Sequence, residues 1–117
     1  MSSPRDPKVF VRDAKDAADA IAHFTQGVDW AQYATDDLVR SAVERKFEIV
    51  GEALNQLAKA APGLASHVSR LRDIVDFRNL LAHGYDKVDH ALVWGYVSDT
   101  LPVLRREIDA LARDLAA

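Results

Sequence analysis

Val39-Arg40-Ser41-Ala42-Val43-Glu44-Arg45-Lys46-Phe47-Glu48-Ile49-Val50-Gly51-Glu52-Ala53-Leu54-Asn55-Gln56-Leu57 is the stretch whose periodicity decides the fold. Val39, Val43, Phe47, Val50, Leu54 and Leu57 recur at steps of three and four, which places them on one stripe of an α-helix and leaves the charged residues on the others. A capping Thr35 or Asp36 precedes the run, and Pro62-Gly63 follows it after Ala61, so start and stop signals agree with the period. Gly51 lies on the apolar stripe. Glycine inside a helix costs about 1 kcal/mol relative to alanine, so its position predicts close approach of another helix.

The same period extends outward in both directions. Asp6-Pro7 opens a first helix, with Asp as N-cap and Pro in the first turn, whose inner stripe is Phe10, Ala14, Ala17, Ile21 and Phe24 before Gly27. A third helix is expected from about Ser66 to His83, with Gly84 as a left-handed C-cap. A fourth begins near Asp89 and carries Val97, Leu101, Leu104, Ile108, Leu111 and Leu115, the spacing of a helix packed along its length against antiparallel neighbours. Pro102 should kink it or split it. No alternating strand pattern is present, so the expectation is an all-α, up-and-down four-helix bundle in which residues 1–117 form one domain.

Composition narrows the setting. The 117 residues are 49% hydrophobic and 28% charged, enough for an ordinary core. There is no cysteine, which removes disulfides and thiolate metal sites. The opening Met-Ser-Ser-Pro-Arg-Asp-Pro lacks the apolar core of a signal peptide and no apolar run reaches membrane-spanning length, so a cytoplasmic protein is expected. A net charge of −3 argues against coating nucleic acid through a general positive field, and any RNA contact has to be local. Glu44, Glu48 and Glu52 recur every four residues, but no Glu-x-x-His accompanies them, and a solvated or arginine-pairing ridge is the better reading than a metal bundle. His23, His67, His83 and His90 lack zinc-ligand spacing, no glycine-rich phosphate loop is present, and no cofactor is implied. Trp30 and Trp94 read as packing residues unless exposed.

Chemistry concentrates in Arg78-Asn79-Leu80-Leu81-Ala82-His83-Gly84-Tyr85. On a wheel of about 100° per residue, Val68, Leu71, Ile74, Val75, Phe77, Leu81 and Ala82 share one half of the third helix, and Arg78 falls near the middle of that half. An arginine there needs partners for its five N–H donors. Two readings follow. One is a structural arginine–carboxylate pair with Glu48 or Glu52 as acceptor, and the other is a guanidinium presented in a functional cleft. His83 has the corresponding bland reading, an imidazole capping the last helical carbonyls. Asn79, one turn before His83, is placed to orient the imidazole or to face solvent. In an unbroken helix His83 would point about 140° away from Arg78, so either the helix unwinds at Ala82 or the working pair comes from two chains.

Arg5-Asp6-Pro7, Ala42-Val43-Glu44-Arg45, Ile49-Val50-Gly51-Glu52-Ala53, Phe77-Arg78-Asn79, His83-Gly84-Tyr85, Val93-Trp94 and Leu101-Pro102-Val103-Leu104, in this helical order, resemble the HepT-type members of the HEPN superfamily nearly end to end. The R-N-x-x-x-H-x-Y form is the most specific part. The resemblance implies a metal-independent endoribonuclease, the toxin of a type VII toxin–antitoxin pair, acting as a homodimer on RNA such as tRNA or mRNA. It implies Arg78 and His83 as the catalytic residues, and an MNT-type nucleotidyltransferase antitoxin that adenylylates Tyr85. In that reaction His83 takes the proton from a ribose 2′-hydroxyl and Arg78 holds the phosphorane oxygens. The competing expectation is a non-catalytic helical module that binds a nucleotide or docks a partner protein.

Overall fold

The computed structural model describes residues 6–83 and 88–116, and among them helix is the only regular secondary structure. Helix α1 spans Pro7–Phe24, α2 Trp30–Thr35, α3 Asp37–Ala60, α4 Pro62–Ala65, α5 Leu71–Ala82, α6 His90–Gly95 and α7 Leu101–Ala116, with a π turn Tyr96–Thr100 joining the last two. The all-α expectation holds.

Local chemistry sets the helix starts. Asp6 Oδ1 accepts from the Lys8 amide at 2.9 Å, Asp36 Oδ1 from the Val39 amide at 3.1 Å, and Asp89 Oδ1 from the Ala91 amide at 3.0 Å. Each occupies amide donors that a helix leaves open at its first turn. Helix α2 is absent from the sequence reading, although Asp29 and Gln32 form a reciprocal capping box with bonds of 2.8 and 2.9 Å. Between α1 and α2 the chain turns at Gly27, whose φ of 74° suits a residue without a Cβ.

The helix carrying the arginine starts later than expected. Residues 66–70 are not part of it: α4 closes one turn after Pro62, and α5 begins only at Leu71. The Ser69 amide and hydroxyl bond to the Glu107 carboxylate on α7 at 3.1–3.2 Å, so a contact distant in sequence holds the connecting turn. Val68 is still buried from that turn. Pro102 does not split the last helix. The disturbance appears just before it, where the Leu101 amide bonds the Tyr96 carbonyl five residues back and the widened π turn accommodates a ring that lacks an N–H.

One core cluster, including Phe10, Ile21, Val43, Phe47, Leu54 and Leu104, draws on α1, α3, α5 and the α6–α7 helix. Helices α1 and α7 run antiparallel, because Lys15 pairs with Asp109 at 3.1 Å while Asp19, one turn later on α1, pairs with Arg105 one turn earlier on α7. Helix α5 returns along α3 after a short connection, and Phe47 of α3 meets Phe77 of α5 edge-on with ring centres 5.2 Å apart. Where these two helices cross, Gly51 does what its place on the stripe predicts. A Cβ there would lie 2.2 Å from Arg78 Cβ and 3.2 Å from the Ile74 carbonyl oxygen, so only glycine allows this approach.

Candidate active site

Helix α5 buries Leu71, Ile74, Val75, Phe77 and Leu81. Ala82, expected among them, is exposed at the last residue of the helix, while Arg78 is half-buried on the same face, its root packed over Gly51. The opposite grip on α5 comes from the π turn. Tyr96 stacks on Phe77 with ring centres 3.9 Å apart and planes 6° from parallel, and its hydroxyl donates to Asp73 at 2.6 Å. That bond and the Arg70 guanidinium hold the Asp73 carboxyl below its ordinary value of 3.8. Burial first, and then the Asp73 bond, push the Tyr96 hydroxyl up to about 12.

Pinned from both sides, α5 projects Arg78 across Gly51 into an open groove of about 460 Å³ between α1, α3 and α5. Arg45, Glu48, Glu52 and Gln56 supply its α3 wall, and Asp13 comes from α1. The Arg78 side chain keeps 26% of its exposure. Its Nη2 donates to Glu52 Oε2 in a short ion pair, its Nη1 donates to Asn79 Oδ1 at 2.8 Å, and Gln56 Nε2 donates to the other Glu52 oxygen at 3.0 Å. A hydrogen-bonded relay from Gln56 through Glu52 and Arg78 to Asn79 therefore fixes the guanidinium. Of the two acceptors foreseen, Glu52 makes the pair, while Glu48 accepts from Arg45 at 3.3 Å. The two readings of Arg78 turn out to be compatible, since an arginine held by one carboxylate still faces the groove with donors to spare.

His83 is exposed and caps α5, its own amide bonding the Asn79 carbonyl at 3.0 Å. The helix does not unwind at Ala82, so the imidazole leaves the axis about 140° round from Arg78. His83 is not among the residues that line the groove. Asn79 is turned toward Arg78; among the described residues its side-chain oxygen accepts from the guanidinium and no bond links it to the imidazole. Gly84 and Tyr85, expected as the C-cap and the modified residue, lie outside the described residues.

Among the described residues no group of three or more His, Asp or Glu side chains could hold a metal ion. No helix among them is long and apolar enough to cross a membrane. Two of the three ridge glutamates are paired, Glu52 with Arg78 and Glu48 with Arg45, while Glu44 lies 4.0 Å from His90 Nδ1 with no hydrogen bond between them. Trp94 packs on buried Tyr33 with ring centres 4.9 Å apart, whereas Trp30 stays 43% exposed. Sequence reasoning missed Arg45, Asp13 and Gln56 as groove residues. The signal for Gln56 was available in its i, i+4 spacing from Glu52; Asp13 carries no such signal, because α1 meets α3 only through the tertiary fold.

Residues 14–111 match the family described as "Ribonuclease HepT-like". The chain belongs to that family. It is 30% identical over 111 residues to the protein named "Putative RNase MJ1380" of Methanocaldococcus jannaschii, covering 92% of this chain and 97% of the relative. It is 28% identical to "Putative RNase MJ0125" of the same organism, over 95% of each chain. The "Probable ribonuclease HepT" of Thermococcus cleftensis is 27% identical over 109 residues, covering 93% of this chain and 98% of that one. No solved structure matches the chain significantly.

Proposed function

We propose that this chain is a metal-independent endoribonuclease, the toxin of a type VII toxin–antitoxin pair, in which Arg78 and His83 act from two copies of the chain. The observation that carries the reading is the fixed guanidinium of Arg78 in an open groove, with its donors directed by Glu52 and Asn79. Family membership and the names of the relatives supply the substrate class, RNA.

The reaction balances without a metal. His83 takes the proton of a ribose 2′-hydroxyl as that oxygen attacks the adjacent phosphorus, and the new P–O2′ bond forms as the P–O5′ bond breaks. Arg78 neutralises the non-bridging oxygens of the phosphorane, where charge accumulates in the transition state. The histidine of the second protomer gives its proton to the departing 5′-oxygen. The products are a 2′,3′-cyclic phosphate and a free 5′-hydroxyl. The unbroken end of α5 supports this division of labour, since an imidazole turned about 140° from Arg78 is better placed to serve a phosphate held by another chain. A homodimer is thus part of the proposal, as is an MNT-type nucleotidyltransferase antitoxin. Adenylylation of Tyr85 would add a phosphate and an adenine one residue beyond the Gly84 step from His83, and so obstruct RNA at that end of α5.

Purified protein without its partner should cut RNA in excess EDTA and leave a 2′,3′-cyclic phosphate, and His83→Ala should abolish cutting with the helical circular dichroism unchanged. Cleavage that stops in EDTA, or survives His83→Ala at the wild-type rate, would overturn the mechanism. Protein co-expressed with the nucleotidyltransferase should gain the mass of AMP, localised to Tyr85.

A further inference from the structure

The groove contains a second arginine that differs from the first in how it is held. Arg45 is 69% exposed at its side chain and among the described residues makes one long contact, Nη1 to Glu48 Oε2 at 3.3 Å, so most of its N–H donors face water. Arg78 is clamped on two sides. A clamped guanidinium suits an oxygen whose place matters to a fraction of an ångström, and a loosely tethered one suits a charge that must be followed along a flexible strand. The lining sets two arginines against Asp13, Glu48 and Glu52, so no general positive field draws a polyanion in, and a strand is held there only by direct contact with the guanidinium groups.

Distance fits as well. Arg78 crosses α3 at Gly51, six residues from Arg45, a span of about 9 Å along the helix axis at 1.5 Å per residue. Two long side chains whose roots are so spaced can engage two phosphates of one extended strand. Both arginines lie on the α3 and α5 walls of a single open groove, and both face the same solvent.

We propose that Arg45 is a phosphate-positioning residue: it binds a backbone phosphate next to the scissile one, so that the groove selects a single strand carrying at least two phosphates. This rests on the ribonuclease reading above for the identity of the scissile phosphate, as does the kinetic arm of its test, but the binding arm does not. Glu48 acts as the resting partner that Arg45 leaves when RNA enters.

The experiment measures binding of a short, fluorescein-labelled single-stranded RNA to His83→Ala protein, which cannot cut it, by anisotropy across a salt series. Adding Arg45→Ala should weaken binding about tenfold at low salt and lower the slope of log K against log salt by about 0.7, the value of one phosphate contact on a single strand. Arg45→Lys should keep the slope, and Glu48→Gln should tighten binding. In protein that retains His83, Arg45→Ala should raise KM with little change in kcat. A salt slope unchanged by Arg45→Ala, or an effect on kcat alone, overturns the proposal. If wild-type protein cuts RNA while the slope stays unchanged, Arg45 is excluded and the ribonuclease reading stands. If it cuts nothing while the slope falls, the groove binds single strands and the ribonuclease reading is the one that fails.

Discussion

The carboxylates that grip α5 and the carboxylate beneath α6 sit in opposite states, although two of them are on the same helix. Glu52 is bonded to Arg78 and Gln56, and Asp73 to Tyr96 and Arg70. Glu44, two turns before Glu52 on α3, is half-buried among Tyr33, Arg40 and His90 and accepts no hydrogen bond among the described residues; burial pushes its carboxyl above the ordinary 4.5. The same pocket holds the Tyr33 hydroxyl, Arg40 Nε and His90 Nδ1, buried atoms with no hydrogen-bond partner among the described residues. Satisfied pairs at the rim of a groove can exchange one partner for a ligand phosphate at little cost. The unsatisfied groups around Tyr33 have no partner to exchange, and they mark a place where polarity is a burden on the fold. Of the two sides of α3, the α5 side therefore carries the exchangeable charge.

The most damaging way to break that arrangement is Gly51→Ala. The added methyl group would meet Arg78 Cβ and the Ile74 carbonyl, and because the latter is backbone, α5 must move away from α3 as a unit. We expect a loss of about 2–3 kcal/mol, seen in urea denaturation. RNA cleavage should fall by more than the unfolded fraction explains, because Arg78 shifts relative to Glu52. Stability lost with full specific activity in the folded fraction would show that the crossing does not position the guanidinium.

Gly51 also shows how far the sequence could be read. An apolar stripe interrupted by glycine, in a helix whose start and stop were marked by Asp36 and Pro62-Gly63, announced a helix crossing, and the all-α class followed from periods of three and four. The arginine was legible because a charge on a mostly apolar face needs a partner, and one of the two glutamates named for it is the partner. What was hidden depended on contacts far apart in the chain. Residues 66–70 have helical periodicity yet form a turn, because Glu107 binds Ser69 across 38 positions. Arg45 and Asp13 join the groove only because α1 and α5 flank α3 in space. Asn79 was assigned to the imidazole by its i, i+4 spacing, and the structure turns it to its immediate neighbour, Arg78.

Tyr96→Phe tests the other grip on α5 with a smaller effect. The stacked ring remains and only the hydroxyl bond to Asp73 is lost, worth about 1 kcal/mol at this part-exposed site and a few degrees in Tm. The pH dependence gives the signature. Asp73 has a folded pKa depressed below 3.8, so its contribution is present above that value and disappears as pH falls through the folded one. The gap between wild type and variant should be full at pH 7 and close below pH 3.8. On the alkaline side, the Tyr96 hydroxyl is raised from 10.0 to about 12, so wild type loses stability across that window and the variant does not. A gap independent of pH would mean that packing, not the hydroxyl, holds the π turn to α5.

Glu44→Gln should have the smallest effect, and of the opposite sign. A carboxyl whose folded pKa lies above 4.5 is penalised when ionised, so stability falls as pH rises from 4.5 through the folded value, and at pH 7 wild type bears the whole penalty. The amide keeps the shape and removes the charge. At pH 7 the variant should therefore be as stable as wild type or slightly more so, while below pH 4.5 the two should converge. Urea midpoints at pH 4 and pH 7 decide it. If Glu44→Gln instead weakens the protein at pH 7, the 4.0 Å approach to His90 closes into a true ion pair in solution, and the start of α6 is fastened to α3 by the same kind of bond that fastens α5. The contrast between the two sides of α3 would then vanish, and with it the reason for locating exchangeable charge only in the groove.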